Sequence, residues 1–323
     1  MAQPTSADTV TVVALAALQV AVTLLIAPLL FGITKRVKAR LQYRRGPSLL
    51  QPYHDLAKWW RKESIQSDAA GALTTAAPAI VLATVVVATL LVPMIGIHAP
   101  LHGWGDLLLV IGLLALGRFA LALSALDAGS AFGGMGSSRE VAIATLVEPA
   151  LLLALAGAAL VAGSTDLGTI AELGAGAGLA WYTPALLLSA AAFAIVAVAE
   201  TGHEPVDNPD THLELTMIHE GMLLEASGPR LAILVYAAQL KLVLVVGLFA
   251  AAFLPVGLAD SITPVTVLVA LGSAIAKLVG AAVVLGILDA SLAKIRILAL
   301  PGLLATASIV AAVGLATRLW LPA

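Results

Sequence analysis

Residues Val10–Gly32 read VTVVALAALQVAVTLLIAPLLFG, a run without a single charged side chain. A helix of this length crosses the roughly 30 Å hydrocarbon layer of a bilayer. The whole chain of 323 residues has the same character, because 60% of it is hydrophobic, 11% is charged and the mean hydropathy is +1.03. Its apolar segments are continuous, whereas strands of a membrane barrel alternate. The sequence therefore predicts an all-α polytopic membrane protein and excludes a soluble enzyme.

Similar runs recur along the chain, and we interpret residues 1–323 as a single membrane domain with about eight transmembrane helices. The connections between the first and second helices and between the fifth and sixth are predicted to be long. The eight helices are expected at Val10–Gly32, Ala76–Ile97, Asp106–Leu126, Val141–Gly163, Trp181–Ala199, Leu231–Pro255, Ile262–Leu288 and Ile297–Trp320.

Basic residues are distributed unequally between the connections. Nine of the seventeen Lys and Arg lie between the first two predicted helices, and the third, fifth and seventh connections also carry basic residues. Cytoplasmic loops of membrane proteins are enriched in Lys and Arg. These four connections are therefore predicted to be cytoplasmic, and both termini to lie on the outer side. The connections without Lys or Arg are His98–Gly105, Ser164–Ala180 and Gly257–Ser261.

The connection between the fifth and sixth helices holds seven of the nineteen acidic residues. Thr211 and Glu214 have the spacing of a capping box, which predicts a helix over 213–224. The Ser-Gly-Pro sequence that follows is expected to end that helix. On it, Glu214 and Glu225 would share one face, and Glu220 would point elsewhere.

Further charged residues fall inside or beside the predicted spans. The glycine-rich stretch 127–140 is expected to form an irregular loop, and Ser137 with Glu140 has the capping-box spacing that would begin the fourth span. Glu148 then lies about two turns inside that span. Charge at such depth is typical of ion pathways and proton relays, and the alternative is structural pairing or snorkelling. The other charged residues at this depth are Arg118, Lys241 and Lys277.

Other kinds of chemistry find no support in the sequence. The chain has no cysteine, which excludes disulfides, cysteine nucleophiles and thiolate-held zinc or iron–sulfur clusters. His212 and His219 are seven residues apart, whereas helical zinc motifs place two histidines four apart, so no metal site is predicted. We expect no catalytic residue, bound cofactor or nucleic-acid partner for the chain by itself, and electrons would have to come from a partner.

Three stretches on the predicted cytoplasmic side resemble a known family. Residues 41–58, LQYRRGPSLLQPYHDLAK, resemble the first loop of the subunit-1, or H-subunit, family of respiratory complex I. Only three residues separate Gly-Pro from Leu-Gln-Pro, a contraction that looks like the hydrogenase branch of that family. This branch contains membrane subunits of formate hydrogenlyase and other energy-converting membrane-bound [NiFe] hydrogenases. Residues 136–149, GSSREVAIATLVEP, and 200–220, ETGHEPVDNPDTHLELTMIHE, resemble the same branch.

The resemblance implies a membrane-anchoring, energy-coupling subunit of a redox-driven, ion-translocating complex in the cytoplasmic membrane of a prokaryote. The implied partners are a [NiFe] hydrogenase-like large subunit, a small iron–sulfur subunit and antiporter-like membrane subunits. The [NiFe] centre and the iron–sulfur clusters would belong to those partners. The implied docking residues are Arg44, Arg45, Gln51, Asp55, Lys58 and Arg139. The implied proton or ion path contains Glu140, Glu148, Glu200, Asp207, Glu214, Glu220 and Glu225, to which membrane depth adds Lys241 and Lys277.

Three alternatives stay open at the level of sequence. The chain could be the quinone-site subunit of an NADH:quinone oxidoreductase, although the contracted first loop and the altered fifth loop argue against this. It could be a stand-alone ion transporter, although the basic docking loop and the lack of an inverted repeat argue against that. It could also be a purely structural anchor whose acids can be neutralised without effect. The sequence leaves open whether the ion is H⁺ or Na⁺ and which compound donates the electrons.

Overall fold

The computed structural model describes residues 6–67, 70–97, 99–101, 103–207, 217–260 and 263–320. These residues form helices and turns, and no extended strand occurs among them. Short 3-10 turns cover Gly178–Trp181 and Ile297–Ala299. The α-helices are α1 (Ser6–Leu41), α2 (Gln51–Trp60), α3 (Ala72–Leu91), α4 (Leu107–Asp127), α5 (Ala131–Ala162), α6 (Leu167–Ala177), α7 (Pro184–Glu200), α8 (His219–Leu223), α9 (Gly228–Phe253), α10 (Pro264–Ser291) and α11 (Leu300–Trp320).

The prediction of an all-α protein with about eight spans is confirmed. Seven segments of the described chain are long and apolar enough to cross a bilayer, namely α1, α3, α4, α5, α9, α10 and α11 with the turn before it. The predicted fifth span coincides with α7, which has only 17 residues and is therefore about 25 Å long. It becomes an eighth span when it is joined to the segment Leu167–Trp181, to which it is bent by 117°.

The boundary predicted for the fourth span is wrong. α5 begins at Ala131, so most of the glycine-rich stretch 127–140 is helical instead of forming a loop. The N-cap is Ser130, whose Oγ accepts a hydrogen bond from the N–H of Gly133 at 3.0 Å. Ser137 is buried inside the helix and caps nothing, because its hydroxyl donates to the carbonyl of Ala122 at 2.9 Å.

Close packing explains the glycines of this stretch. A Cβ atom on Gly136 would lie 2.9 Å from the carbonyl oxygen of Ile218 and 3.1 Å from the nitrogen of Met222. A Cβ atom on Gly133 would lie 2.6 Å from the carbonyl oxygen of Ala125. The distances of 2.6 and 2.9 Å are too short for any side chain, so glycine lets α5 approach α4 and α8 backbone to backbone. Small residues allow the same close approach between many membrane helices.

The helix predicted after the fifth span is confirmed in part. Within the described residues 217–224, helix α8 covers His219–Leu223. Glu225 follows the end of α8 and is therefore not on that helix. The Ser-Gly-Pro sequence begins α9 instead of ending a helix, and proline fits there because the first helical N–H groups have no partner within the helix. Residues 208–216, with Glu214 and the capping box expected at Thr211, lie outside the described residues.

Helices α4, α5, α7 and α9 enclose one shared interior. α7 packs against α5, α9 and α11, and α4 packs against α5. Phe193 of α7 contacts Phe249 and Phe253 of α9, with ring centroids 5.4 to 5.8 Å apart within this trio. Gly157 of α5 lies directly against Ser189 of α7. Polar side chains that point into this interior are therefore held by four tightly packed helices.

Candidate functional site

Arg118 is the centre of a cluster of charged residues in the shared interior. It lies midway along α4, and its side chain is only 8% exposed. Its Nε atom is 3.3 Å from Oε1 of Glu140 on α5, and Nη1 is 2.8 Å from Oε1 of Glu148 on the same helix. Nη2 pairs with Oε2 of Glu200 at the end of α7. The planar guanidinium group has five N–H donors and can therefore bind three carboxylates at once.

Lys241 of α9 completes this cluster, which we call the Arg118 cluster: Arg118, Glu140, Glu148, Glu200 and Lys241. The Lys241 Nζ atom lies 3.5 Å from Oε1 of Glu200, whose side chain is 1% exposed. Three carboxylates then face two cations, so the fully ionised cluster has a net charge of −1. An uncompensated charge in a low-dielectric interior is strongly unfavourable. One additional proton or cation would neutralise the cluster.

A cavity of about 110 Å³ adjoins the Arg118 cluster. Its wall includes Glu140, Glu200 and Lys241, and it continues to Asp207 and Glu220 in the connection that follows α7. The volume is sufficient for several water molecules. The cavity therefore offers space for water between the connection and the helix interior.

Two buried polar atoms face this space without a hydrogen-bond partner among the residues that the structure describes. They are Nε2 of His219 and Oε1 of Gln239, and both residues line the cavity. Buried polar atoms are rarely left without a hydrogen bond, and ordered water is the usual partner where protein groups are missing. Both atoms therefore mark positions for water in the cavity.

His219 is in its neutral form near pH 7. Burial lowers the pKa of its imidazole below the usual range, and the ammonium group of Lys241 lowers it further. The carboxylates of Glu220 and Asp207 raise the pKa but do not outweigh burial. The backbone N–H of His219 also donates to Oδ2 of Asp207 at 3.2 Å, which fixes α8 relative to the preceding segment.

Polar side-chain pairs hold the segment 201–207 against α1, α10 and the residues that follow α10. Asp289 of α10 accepts a hydrogen bond from the backbone N–H of Glu204 at 3.1 Å. The segment is thus fixed from two sides, and its charged groups point to defined partners. The side-chain pairs are Lys38 with Glu204 (3.2 Å), Lys294 with Asp207 (2.6 Å) and His203 with Asp289 (2.9 Å).

The structure brings together most of the residues predicted for the ion path, but not all of them. Glu225 is not part of the cavity wall. Lys277 is separate from the Arg118 cluster, because its Nζ atom donates to the carbonyl of Val256 at 2.6 Å, just after α9 ends. Glu214 lies outside the described residues. The predicted residues that meet at the cluster or line the cavity are Glu140, Glu148, Glu200, Asp207, Glu220 and Lys241.

Several polar residues of the site were not predicted for it from the sequence. Membrane depth singled out Arg118, but nothing in the sequence identified it as the common partner of three acids. His203 was not singled out, because its side-chain contact joins distant parts of the chain. The His203–Asp289 pair, for example, spans 86 residues.

The predicted docking residues fall into two groups. Arg44, Arg45, Gln51 and Lys58 are exposed on the first connection, and Gln51 donates to Asp55 within α2 at 2.9 Å. α2 packs against α1 and α9, so this surface is fixed to the helix bundle. Arg139, in contrast, is half-buried, and its Nη1 atom donates to the carbonyl of Met217 at 2.8 Å. Arg139 therefore holds the segment that leads into α8.

Comparison with known proteins agrees with this architecture. The family described as NADH dehydrogenase matches residues 13–318. Formate hydrogenlyase subunit 4 of Escherichia coli (strain K12) is 36% identical over 280 residues, which cover 87% of this chain and 90% of that protein. Hydrogenase-4 component C of the same organism is 35% identical over 281 residues, which cover 87% of each protein.

A solved structure has the same fold. It is a chain of the membrane-bound sulfane sulfur reductase, an archaeal respiratory membrane complex, and it superposes with a TM-score of 0.83 at 23% identity. The match covers 93% of this chain and 96% of that chain. At this identity the likeness concerns the fold alone.

Proposed function

We propose, from the premise that this chain belongs to the NADH dehydrogenase family, that it is the energy-coupling membrane subunit of a redox-driven, ion-translocating complex of the hydrogenase type. Two relatives named as formate hydrogenlyase and hydrogenase-4 components support the hydrogenase branch, since each aligns over nearly nine-tenths of its length. Both are subunits of oxidoreductase complexes, and the long apolar helices make this chain a multi-pass membrane protein.

The partners in this proposal are a [NiFe] hydrogenase-like large subunit, a small iron–sulfur subunit and antiporter-like membrane subunits, in the cytoplasmic membrane of a prokaryote. The [NiFe] centre and the iron–sulfur clusters would lie in the partners. The exposed basic residues Arg44, Arg45 and Lys58 would contact the soluble arm on the cytoplasmic side. The fixed position of α2 on α1 and α9 supports this role, because a rigid surface loses little conformational entropy on docking.

The negative charge excess of the Arg118 cluster carries the proposal. With three carboxylates and two cations in the interior, the cluster is stable when it holds one transported cation and is unfavourable without it. The protonation of a buried carboxylate depends strongly on hydration and on neighbouring charge. A charge change at the redox arm that moves the segment 201–207, or rehydrates the cavity beside it, would therefore load or release the ion.

The cluster also has two distinct ends. Glu200 lies at the buried end beside the cavity, with a side chain that is 1% exposed, whereas the Glu148 side chain is 38% exposed and is not part of the cavity wall. Arg118 contacts both carboxylates through different nitrogens. An ion that enters from Asp207 and Glu220 through the cavity would reach Glu200 first and leave past Glu148.

The test is the variant Glu148→Gln in the assembled complex, reconstituted into vesicles, with redox turnover and ion movement measured together. Neutralising Glu148 removes the charge excess, so we expect redox turnover to continue while ion movement per electron falls. Glu172→Gln is the matched control, because Glu172 is exposed on α6 and takes part in none of the ion pairs that form the cluster. Normal ion movement in the Glu148→Gln complex would show that Glu148 is not on the path.

A further inference from the structure

His219 occupies a position between two cavities. The larger cavity is the space of about 110 Å³ beside the Arg118 cluster, and the smaller has a volume of about 40 Å³. Residues of α3 and α4 such as Val81 and Leu114 give the smaller cavity a mainly apolar wall. Five residues line both cavities: Arg118, Glu140, His219, Ala238 and Lys241. His219 is the member of this set whose side-chain type has an ordinary pKa nearest to neutral pH.

The backbone around His219 keeps the imidazole in this wall. Gly136 of α5 lets α8 pack so closely that no side chain would fit between them. The hydrogen bond from the backbone N–H of His219 to Asp207 and the bond from Arg139 to the carbonyl of Met217 fix the residue from both sides. The main chain at His219 is thus held by three separate constraints, yet the Nε2 atom of its imidazole is buried without a partner among the described groups.

We propose that His219 is a proton-relay residue in the larger cavity, on the route from the connection after α7 to the Arg118 cluster. In the forward step, a hydronium ion in the cavity gives a proton to Nε2 of the neutral imidazole and leaves a water molecule. In the second step, the same Nε2–H of the imidazolium gives its proton to a water molecule beside Glu140, which becomes hydronium. One N–H bond forms and one breaks in each cycle, so His219 ends unchanged. This inference rests on the proposed function, and it specifies that the transported ion is H⁺, because an imidazolium relay cannot carry Na⁺.

The charges around His219 suit a transient carrier. Arg118 of α4 and Lys241 of α9 oppose an imidazolium at this position, as does burial. Glu140 of α5, Asp207 and the adjacent Glu220 favour it. The low pKa of His219 agrees with a group that receives a proton and soon passes it on, instead of storing it.

His203, unlike His219, has a side-chain partner in the described structure. Its Nδ1 atom is 2.9 Å from Oδ2 of Asp289, so the ring has a fixed partner and serves to hold the segment 201–207 against α10. This pair joins the segment to α10 across 86 residues of sequence. Of the described histidines of this region, we therefore assign a structural role to His203 and the relay to His219.

The experiment uses the assembled complex in vesicles, with a trapped pH-sensitive dye and simultaneous measurement of redox turnover. The variants are His219→Gln, which keeps hydrogen bonding but cannot titrate, and His219→Ala, which opens space for a small base. We expect proton movement to fall by about 10²-fold in both, the lower end of the range for a positioned proton-transfer group. Added imidazole should restore proton movement in His219→Ala, whereas pyrazole, a ring of the same size but a far weaker base, should not.

The possible results separate the relay from the broader function. If His219→Gln moves protons at the normal rate while Glu148→Gln does not, the relay is refuted and the coupling role of the cluster stands. If both variants move protons normally, the proposed function fails as well. If pyrazole restores His219→Ala as well as imidazole does, His219 only fills space. If the complex moves Na⁺ and no protons, the relay is refuted while the coupling role remains.

Discussion

Replacing Arg118 by methionine should destabilise the protein more than any other single change in the Arg118 cluster. Methionine keeps much of the length of arginine but removes every N–H donor. Glu140, Glu148 and Glu200 then face Lys241 alone, which lies 3.5 Å from Glu200 and bonds to neither of the other two acids in the described structure. The net charge of the fully ionised cluster changes from −1 to −2.

The loss of stability expected for Arg118→Met follows from the burial of the Arg118–Glu200 pair. Removing one partner of a buried ion pair lowers the free energy of unfolding by about 3–5 kcal/mol, whereas an exposed pair contributes about 0–1 kcal/mol. Arg118 is 8% exposed and Glu200 is 1% exposed, so the larger value applies. A second substitution, Glu200→Gln, returns the cluster to its original charge of −1. The double variant should therefore be more stable than Arg118→Met.

The assay is equilibrium unfolding of the purified chain in mixed micelles, for the wild type, both single variants and the double variant. Hydrogen bonds between membrane helices have coupling energies of about 0.6 kcal/mol on average and about 1.7 kcal/mol at most. We expect the coupling energy between Arg118 and Glu200 to exceed that upper value. Additive effects of the two substitutions, or a loss below about 1 kcal/mol for Arg118→Met, would refute the assignment of Arg118 as the centre of the cluster.

Two further predictions concern packing and pH. A Cβ on Gly157 would overlap Oγ of Ser189 and lie 2.6 Å from its Cβ, so Gly157→Val should lower the free energy of unfolding by about 1–3 kcal/mol or more. The control Gly112→Val should have little effect, because no atom lies within 4 Å of a Cβ at that position. Equal thermal stability of the two variants would contradict the close packing of α5 on α7. Because the pKa of His219 is lowered in the folded protein, the unfolded chain binds the extra proton, and stability should fall as the pH drops below about 6.5. This part of the pH dependence should be weaker in His219→Gln, and an unchanged slope would show that His219 does not titrate on unfolding.

The sequence predicts the helices of this protein well because membrane crossing is a local property. Length and continuous apolarity suffice for α3, α4, α9, α10 and α11, since each must satisfy its backbone groups within its own segment. Glycine and serine, in contrast, do not indicate by themselves whether a stretch is a turn or a tightly packed helix. In the stretch 127–140 they resemble a turn, yet Gly133 and Gly136 are there because other helices lie against them.

The candidate site was predictable only in part, for a related reason. Membrane depth identifies a charged residue as unusual, but it does not reveal the partner. Lys241 and Lys277 are indistinguishable by that criterion, whereas one contacts Glu200 and the other donates to the carbonyl of Val256. The difference depends on how α10 lies against the end of α9, which no spacing within a single helix encodes.

The energetics of the Arg118 cluster argue against a purely structural role. Replacing a buried ion pair by well-packed apolar residues is often neutral or stabilising by about 1–4 kcal/mol, so five ionisable groups are not needed to join four helices. A structural network would also be expected to balance its charges, yet three carboxylates here meet two cations. A cluster with one carboxylate in excess, beside a cavity for water, is suited to holding a cation that comes and goes. The charge excess, more than the presence of ion pairs, therefore distinguishes a coupling site from an anchor.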